Sequence, residues 1–189
     1  MTTAERIASA ALAILAAEGA EAVTMRRVAA DVGVSAMAAY RHYPSREALL
    51  RAVAEAGFAA AAGTWSERRD EPMAERLTGL LNDYLDFALG QPNVYRFLLT
   101  DRREDARRYP DDFQTGDSPT FGPIFTAVRD WMDEGLLRRD DPLEATMALT
   151  SAAQGLVLLY LNGRIALPEP DFRRLCERTA RRIIDGLQA

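Results

Sequence analysis

Apolar residues return every three or four positions along most of this chain, and polar or helix-stopping residues separate the stretches. Ile7, Ala11, Ile14 and Leu15 share one face of a first helix, from about Thr3 to Glu18. Thr2 or Thr3 caps it and Gly19 stops it. Thr24 caps a second helix that ends near Val32–Gly33. Ser35 opens a third, which must close before Pro44, because proline cannot continue it and biases Tyr43 away from helical angles. Ser45 caps a fourth helix that runs past Phe58 towards Gly63. The polar stretch Ser66–Glu71 reads as a connection.

Pro72 suits the first turn of a fifth helix, which reaches about Leu89 and is stopped by Gly90. Pro92 opens a sixth, through Leu99 with room to extend towards Arg108. Tyr109–Pro119, rich in Asp, Gly, Ser and Pro, reads as a loop. A seventh helix is expected over Thr120–Glu134 and ends at Gly135. Asp141 caps an eighth, from Pro142 to about Asn162–Gly163, and Asp171 a ninth, to about Leu187. No strand and no internal repeat is predicted. The fold class is all-α, with short connections.

Composition narrows the chemistry. The chain has 189 residues and is 48% hydrophobic, enough for a buried core in one or two domains. All 23 basic residues are arginine, and alanine reaches 33. The formal charge is −5, so any nucleic-acid contact must come from a local surface. Residues 1–50 hold five Arg and five Asp or Glu, which places the whole −5 beyond them. Cys176 is the single cysteine. It forms no disulfide within the chain, fits a reducing cytosol, and is expected to pack in the ninth helix.

No stretch is expected to span a membrane; the longest apolar run, Ala152–Leu161, is broken by Gln154. Ala8–Ala17 superficially suits a leader, but Glu5 and Glu18 sit where a basic start and a cleavage region would be. A cytoplasmic location is expected.

No enzyme is predicted. There is no glycine-rich phosphate loop, nucleophile elbow or zinc-ligand spacing. His42 is the single histidine, so it cannot build a metal site or a triad alone. Asp111–Asp112 and Asp140–Asp141 read as caps and solvated charge. No metal and no cofactor is expected.

The informative segment is Thr24–Leu50. Two short helices meet at Gly33, where a positive φ allows a tight turn, and Val34 plugs the space beneath. That is the helix-turn-helix pattern, whose second helix enters the DNA major groove with its N-terminal residues at the base edges. Ser35, Ala36, Met37 and Ala38 are slim enough for close approach. Tyr40, Arg41, His42 and Tyr43 supply donors suited to phosphate oxygens. Thr24 and Arg46 are placed to hold phosphates on opposite sides.

These residues resemble the DNA-binding domain of the TetR/AcrR family of bacterial transcriptional regulators. The resemblance rests on Thr24, Val28–Ala30, Val32–Ser35, Tyr40–Tyr43 and Ser45–Leu49, with Arg6–Ile7, Ala10–Ala11 and Glu18–Gly19 before them. Ala39 stands where the family usually has leucine, and Arg46 where lysine is common. Further along, Pro92–Arg96 is similar to the Pro-x-x-Tyr-Arg segment of the branch with a Trp-x-x-His-Gly ligand domain. Ser151–Gly155 lacks that branch's Trp and His, so no ligand contact carries over from them.

The resemblance implies a helix-turn-helix domain over 1–48 and a six-helix ligand-binding and dimerisation domain over 49–189. It implies a homodimer on double-stranded pseudopalindromic operator DNA, acting as a repressor that a small, mainly apolar effector releases. Tyr84, Phe87, Phe97, Phe121, Phe125 and Gln154 are the residues expected to line the effector cavity, with Arg96 or Asn162 adding a polar contact. Ala152, Leu156, Leu159, Ile183 and Leu187 are expected at the dimer interface, since helix eight carries more apolar positions than one inward stripe needs. The alternative is a small-molecule-binding helical protein that has lost specific DNA binding.

Overall fold

The computed structural model describes residues 1–65, 68, 70–100, 106–114, 118 and 120–188, with backbone alone for 60–62, 64 and 65. Nine α-helices are present among them: α1 Thr3–Glu18, α2 Met25–Val32, α3 Ala36–His42, α4 Arg46–Trp65, α5 Met73–Gly90, α6 Pro92–Leu99, α7 Gly122–Asp133, α8 Pro142–Leu161 and α9 Glu169–Asp185. The all-α expectation holds. The one β-type pairing among the described residues is an isolated bridge between Leu137 and Gln188. Ser66, Glu67 and Arg69 of the expected connection, and 101–105, 115–117 and 119 of the expected sixth helix and loop, lie outside the described residues. The chain divides into two compact units, 1–60 with 91–106, and 61–90 with 107–189.

The first unit starts with a reciprocal cap. Thr2 Oγ1 accepts from the Glu5 amide at 3.2 Å, while Glu5 Oε2 accepts from the Thr2 amide at 2.8 Å. Ile7, Ala11, Ile14 and Leu15 are buried along one side of α1, as their spacing predicts. A single 3₁₀ turn, Ala20–Ala22, follows Gly19. α1 packs against α2, α3 and α6. From α6, Val94, Tyr95, Phe97 and Leu98 are buried. The Asn93 side-chain amide donates to the Ala16 carbonyl at 3.0 Å. Gly57 on α4 lies so near α6 that a β-carbon there would sit 3.2 Å from Leu98 Cδ1.

The second unit buries Leu80, Ala127, Val128, Trp131, Met132, Leu137, Ala145, Leu149 and Ile184 in one core. Burial of this kind contributes roughly 1.5–3 kcal/mol for each large side chain and is the main force holding α5, α7, α8 and α9 together. Arg76 is 5% exposed within it. Its charge is matched by Asp130 at 3.1 Å, and its guanidinium lies 5.9 Å from the Trp131 ring centre. Asp141 caps α8 as expected, accepting from Leu143 and Glu144 amides.

α9 departs from expectation. It starts at Glu169 with Pro168 before it, and Asp171 lies within its first turn rather than capping it. Proline needs no amide partner at a helix start, so Pro168 and Pro170 can open the helix earlier than a side-chain cap would. Asp171 pairs with Arg174 instead.

Candidate nucleic-acid interface

The turn between α2 and α3 is fixed by backbone bonds. Gly33 has φ +74°. Its amide donates to Ala30 O at 3.1 Å, and the Val34 amide to Ala29 O at 2.9 Å. These two bonds satisfy two of the carbonyls in the last turn of α2 and turn the chain sharply. Val34 is half-buried, a shallower plug than the sequence suggested. Thr24 Oγ1 caps α2 by accepting from the Arg27 amide at 3.3 Å, and Ser35 Oγ caps α3 by accepting from Ala38 at 3.1 Å.

Inward, α2 buries Met25, Val28, Ala29 and Val32, and α3 buries Ala39 completely. Ala39 occupies its core position with a methyl group alone. Outward, α3 leaves Met37 72% and Tyr40 47% exposed, a degree of exposure that core packing does not explain. Ser35, Arg41 and His42 are exposed, and Ala36 and Ala38 are half-buried. Apart from buried Ala39, the residues Ser35–His42 therefore present an outer face that is slim at its N-terminal end and donor-rich at its C-terminal end.

The basic groups around this face divide by what holds them. Arg6 donates to the Val32 carbonyl at 2.7 Å, tying α1 to the end of α2. Arg27 pairs with Glu18, and that hydrogen bond pulls the Glu18 carboxyl below its ordinary pKa and raises that of Arg27. Arg46 is half-buried and donates to two carbonyls, Val23 O at 2.7 Å and Ala20 O at 2.6 Å. Tyr43 is half-buried and its hydroxyl donates to Ala4 O at 3.2 Å. Burial and the nearby Glu5 raise its pKa. Arg26, beside the Thr24 cap in the first turn of α2, is exposed. The sequence reading passed over Arg26; its signal was a charged position opposite the apolar stripe of α2.

In the second unit, Phe121 and Phe125 are buried and stacked at 6.1 Å, with Phe113 edge-on to Phe121 at 4.9 Å. Tyr84 and Phe87 pack against the core, and Gln154 is half-buried on α8. Phe97 belongs to the first unit, where it is buried on α6. Of the expected interface residues, Leu159 is 47% exposed, and Ala152, Leu156, Ile183 and Leu187 are half-buried. Ile183 and Leu187 also pack against the unit's own core. A groove of about 270 Å³ between α5 and α9 is lined by Met73, Leu77, Leu81, Ala180 and Ile184 among others.

Cys176 is buried on α9, one turn after Phe172, and burial pushes its thiol up to about 11. It is a packing residue there, since the reactive form is the thiolate. Asp140 accepts from the Asp141 amide and pairs with Arg138, which hold its carboxyl below the ordinary pKa. Among the described residues, no group of three His, Cys, Asp or Glu is placed to hold a metal ion. No described helix is long and apolar enough to cross a membrane.

Residues 7–53 match the family model described as bacterial regulatory proteins, tetR family. Residues 77–183 match that described as Tetracyclin repressor-like, C-terminal domain. Over 82 residues the chain is 34% identical to nucleoid occlusion factor SlmA of Pasteurella multocida, covering 42% of this chain and 41% of that protein. It thus spans less than half the length of that curated relative. A Rhodococcus sp. RHA1 protein of unknown function has the same fold, with a TM-score of 0.82 at 19% identity over 100% of this chain and 97% of the other. The transcriptional regulator FadR from Bacillus subtilis, solved in complex with stearoyl-CoA, gives a TM-score of 0.74 at 13% identity over 97% and 99% of the two chains. With a capped helix-turn-helix at its start and a matching helical domain after it, this chain belongs to the TetR family of bacterial regulatory proteins.

Proposed function

We propose that the protein is a transcriptional repressor that binds a pseudopalindromic operator as a homodimer and leaves it when a small, mainly apolar effector binds. The observation that carries this reading is the outer face of α3, with Met37 and Tyr40 held in water after a turn fixed by the Gly33 and Val34 amide bonds. Ser35–Ala38 would meet base edges, and Tyr40, Arg41 and His42 phosphates, with Thr24 at the N-terminus of α2. Residues 1–48 would read DNA, and 49–189 would dimerise and bind effector. Two copies of α3 would lie about one DNA turn apart, roughly 34–36 Å.

Dimerisation through α8 and α9 accounts for the apolar side chains that α8 leaves half-buried or exposed, Leu156 and Leu159 above all. The aromatic residues Tyr84, Phe87, Phe121 and Phe125 supply apolar walls for an effector. FadR, of the same fold, was solved with stearoyl-CoA, which fits an effector with a large apolar part. Release needs only that the effector bind the DNA-competent and DNA-incompetent states with different affinity.

The test is enrichment of random DNA fragments by the purified protein, with Tyr40→Ala as control. A two-fold motif recovered by the wild type alone is expected. Recovery of no motif by a folded protein favours the alternative, a small-molecule-binding protein without specific DNA binding. Leu156→Glu is expected to give a monomer in light scattering; a surviving dimer places the interface elsewhere.

A further inference from the structure

We infer that Arg46 is a positioning residue for DNA reading, acting through the backbone in front of α2 rather than by holding a phosphate itself. This rests on the DNA-binding reading above. Arg46 is the first residue of α4, where a helix N-terminus disfavours a cation. Its half-buried guanidinium is nevertheless held there by two carbonyls, Val23 O at 2.7 Å through Nε and Ala20 O at 2.6 Å through Nη2.

Those carbonyls bracket the 3₁₀ turn. Ala20 O also accepts from the Val23 amide at 3.1 Å, so it is shared between the turn and Arg46. The next residue is Thr24, whose hydroxyl caps α2 and whose carbonyl accepts from Val28 at 3.0 Å. Arg46 thereby fixes the approach to Thr24 and the first turn of α2, the part of the head that carries Thr24 and the exposed Arg26. The fork explains arginine at this position. A lysine ammonium has three donors, but they rotate on a flexible stem and lack the rigid planar fork that holds two carbonyls in a fixed geometry.

The experiment uses the full-length protein and a duplex that the wild type recovers from a random-sequence pool. Affinity is measured against salt for wild type, Arg46→Lys and Arg46→Met. Amide hydrogen exchange of the free proteins is measured alongside. A positioning role predicts that both variants lose roughly tenfold or more in affinity, with an unchanged slope of log affinity against log salt. It also predicts faster exchange confined to the 3₁₀ turn and the first turn of α2. A phosphate contact predicts the opposite: Arg46→Lys binds like wild type, and Arg46→Met loses about one unit of slope. That result overturns the inference, as does unchanged affinity in both variants. Faster exchange throughout the chain would mean a general stabilising role and also overturns it. Should Arg46→Met fail to fold, Arg46→Lys against wild type decides alone. If the wild type recovers no duplex, the DNA reading itself fails and takes this inference with it.

Discussion

The Tyr43 hydroxyl reaches back across the head to donate a hydrogen bond to the Ala4 carbonyl, 3.2 Å away and 39 residues earlier. The end of α3 is thereby fastened to the first turn of α1. Tyr43→Phe keeps the ring and removes the bond. Its expected cost is about 1 kcal/mol of stability, read as a lower urea midpoint. Because the hydroxyl is already engaged, the salt dependence of DNA binding should stay as in the wild type.

Gly33 is held at φ +74° with nothing within 4 Å of where a β-carbon would sit. A side chain there would be strained by backbone conformation alone. Gly33→Ala should destabilise by about 1 kcal/mol, and Gly33→Asn by less, since asparagine tolerates the left-handed region better. Chemical denaturation of the three proteins side by side checks the order.

Arg76 and Asp130 form an ion pair in which only the arginine is deeply buried, with side-chain exposures of 6% and 34%. Asp130→Ala would strand the charge of Arg76 against Trp131. Full burial of both partners would make that cost several kcal/mol; the solvent reaching Asp130 reduces it to about 2 kcal/mol. Arg76→Met, which removes the charge and keeps the stem, should be milder. Unfolding midpoints of the two single variants and the double variant measure the coupling.

Cys176 carries a pH signature. Burial raises its folded pKa from 9.0 to about 11. Above pH 9 the unfolded chain gives up the thiol proton while the folded chain keeps it. The folded state then binds more protons, and stability falls as pH rises from about 9 to about 11. The chain has no lysine to titrate in the same range. Cys176→Ala should flatten the decline measured by urea unfolding at stepped pH. A thiol reagent at pH 8 should modify the folded protein far more slowly than the unfolded one.

Much of this architecture is legible in the sequence because its signals are local. Thr2, Thr24, Ser35 and Asp141 cap helices by bonding to amides two or three residues on, and Gly33 needs only its own φ. Such contacts depend on chain spacing alone. The start of α9 was misread because two prolines opened it ahead of the carboxylate that looked like its cap. The partners of Arg6, Tyr43 and Arg46 were illegible for another reason. Each reaches a main-chain carbonyl more than twenty residues away, and a carbonyl has no identity in sequence. Basic residues near α3 look alike until folding decides which are already engaged.

The close approach of Gly57 to Leu98, with the bond from Asn93 to Ala16, bears on how the molecule can be cut. The first compact unit is completed by a segment that returns to it from residue 91 onward. A fragment ending after the helix-turn-helix would carry every residue proposed to face DNA and still lack α6, leaving the surfaces of α1 and α4 that α6 covers open to water. Dissection of this protein therefore calls for a graft that joins α4 to α6 through a designed linker, rather than a truncation.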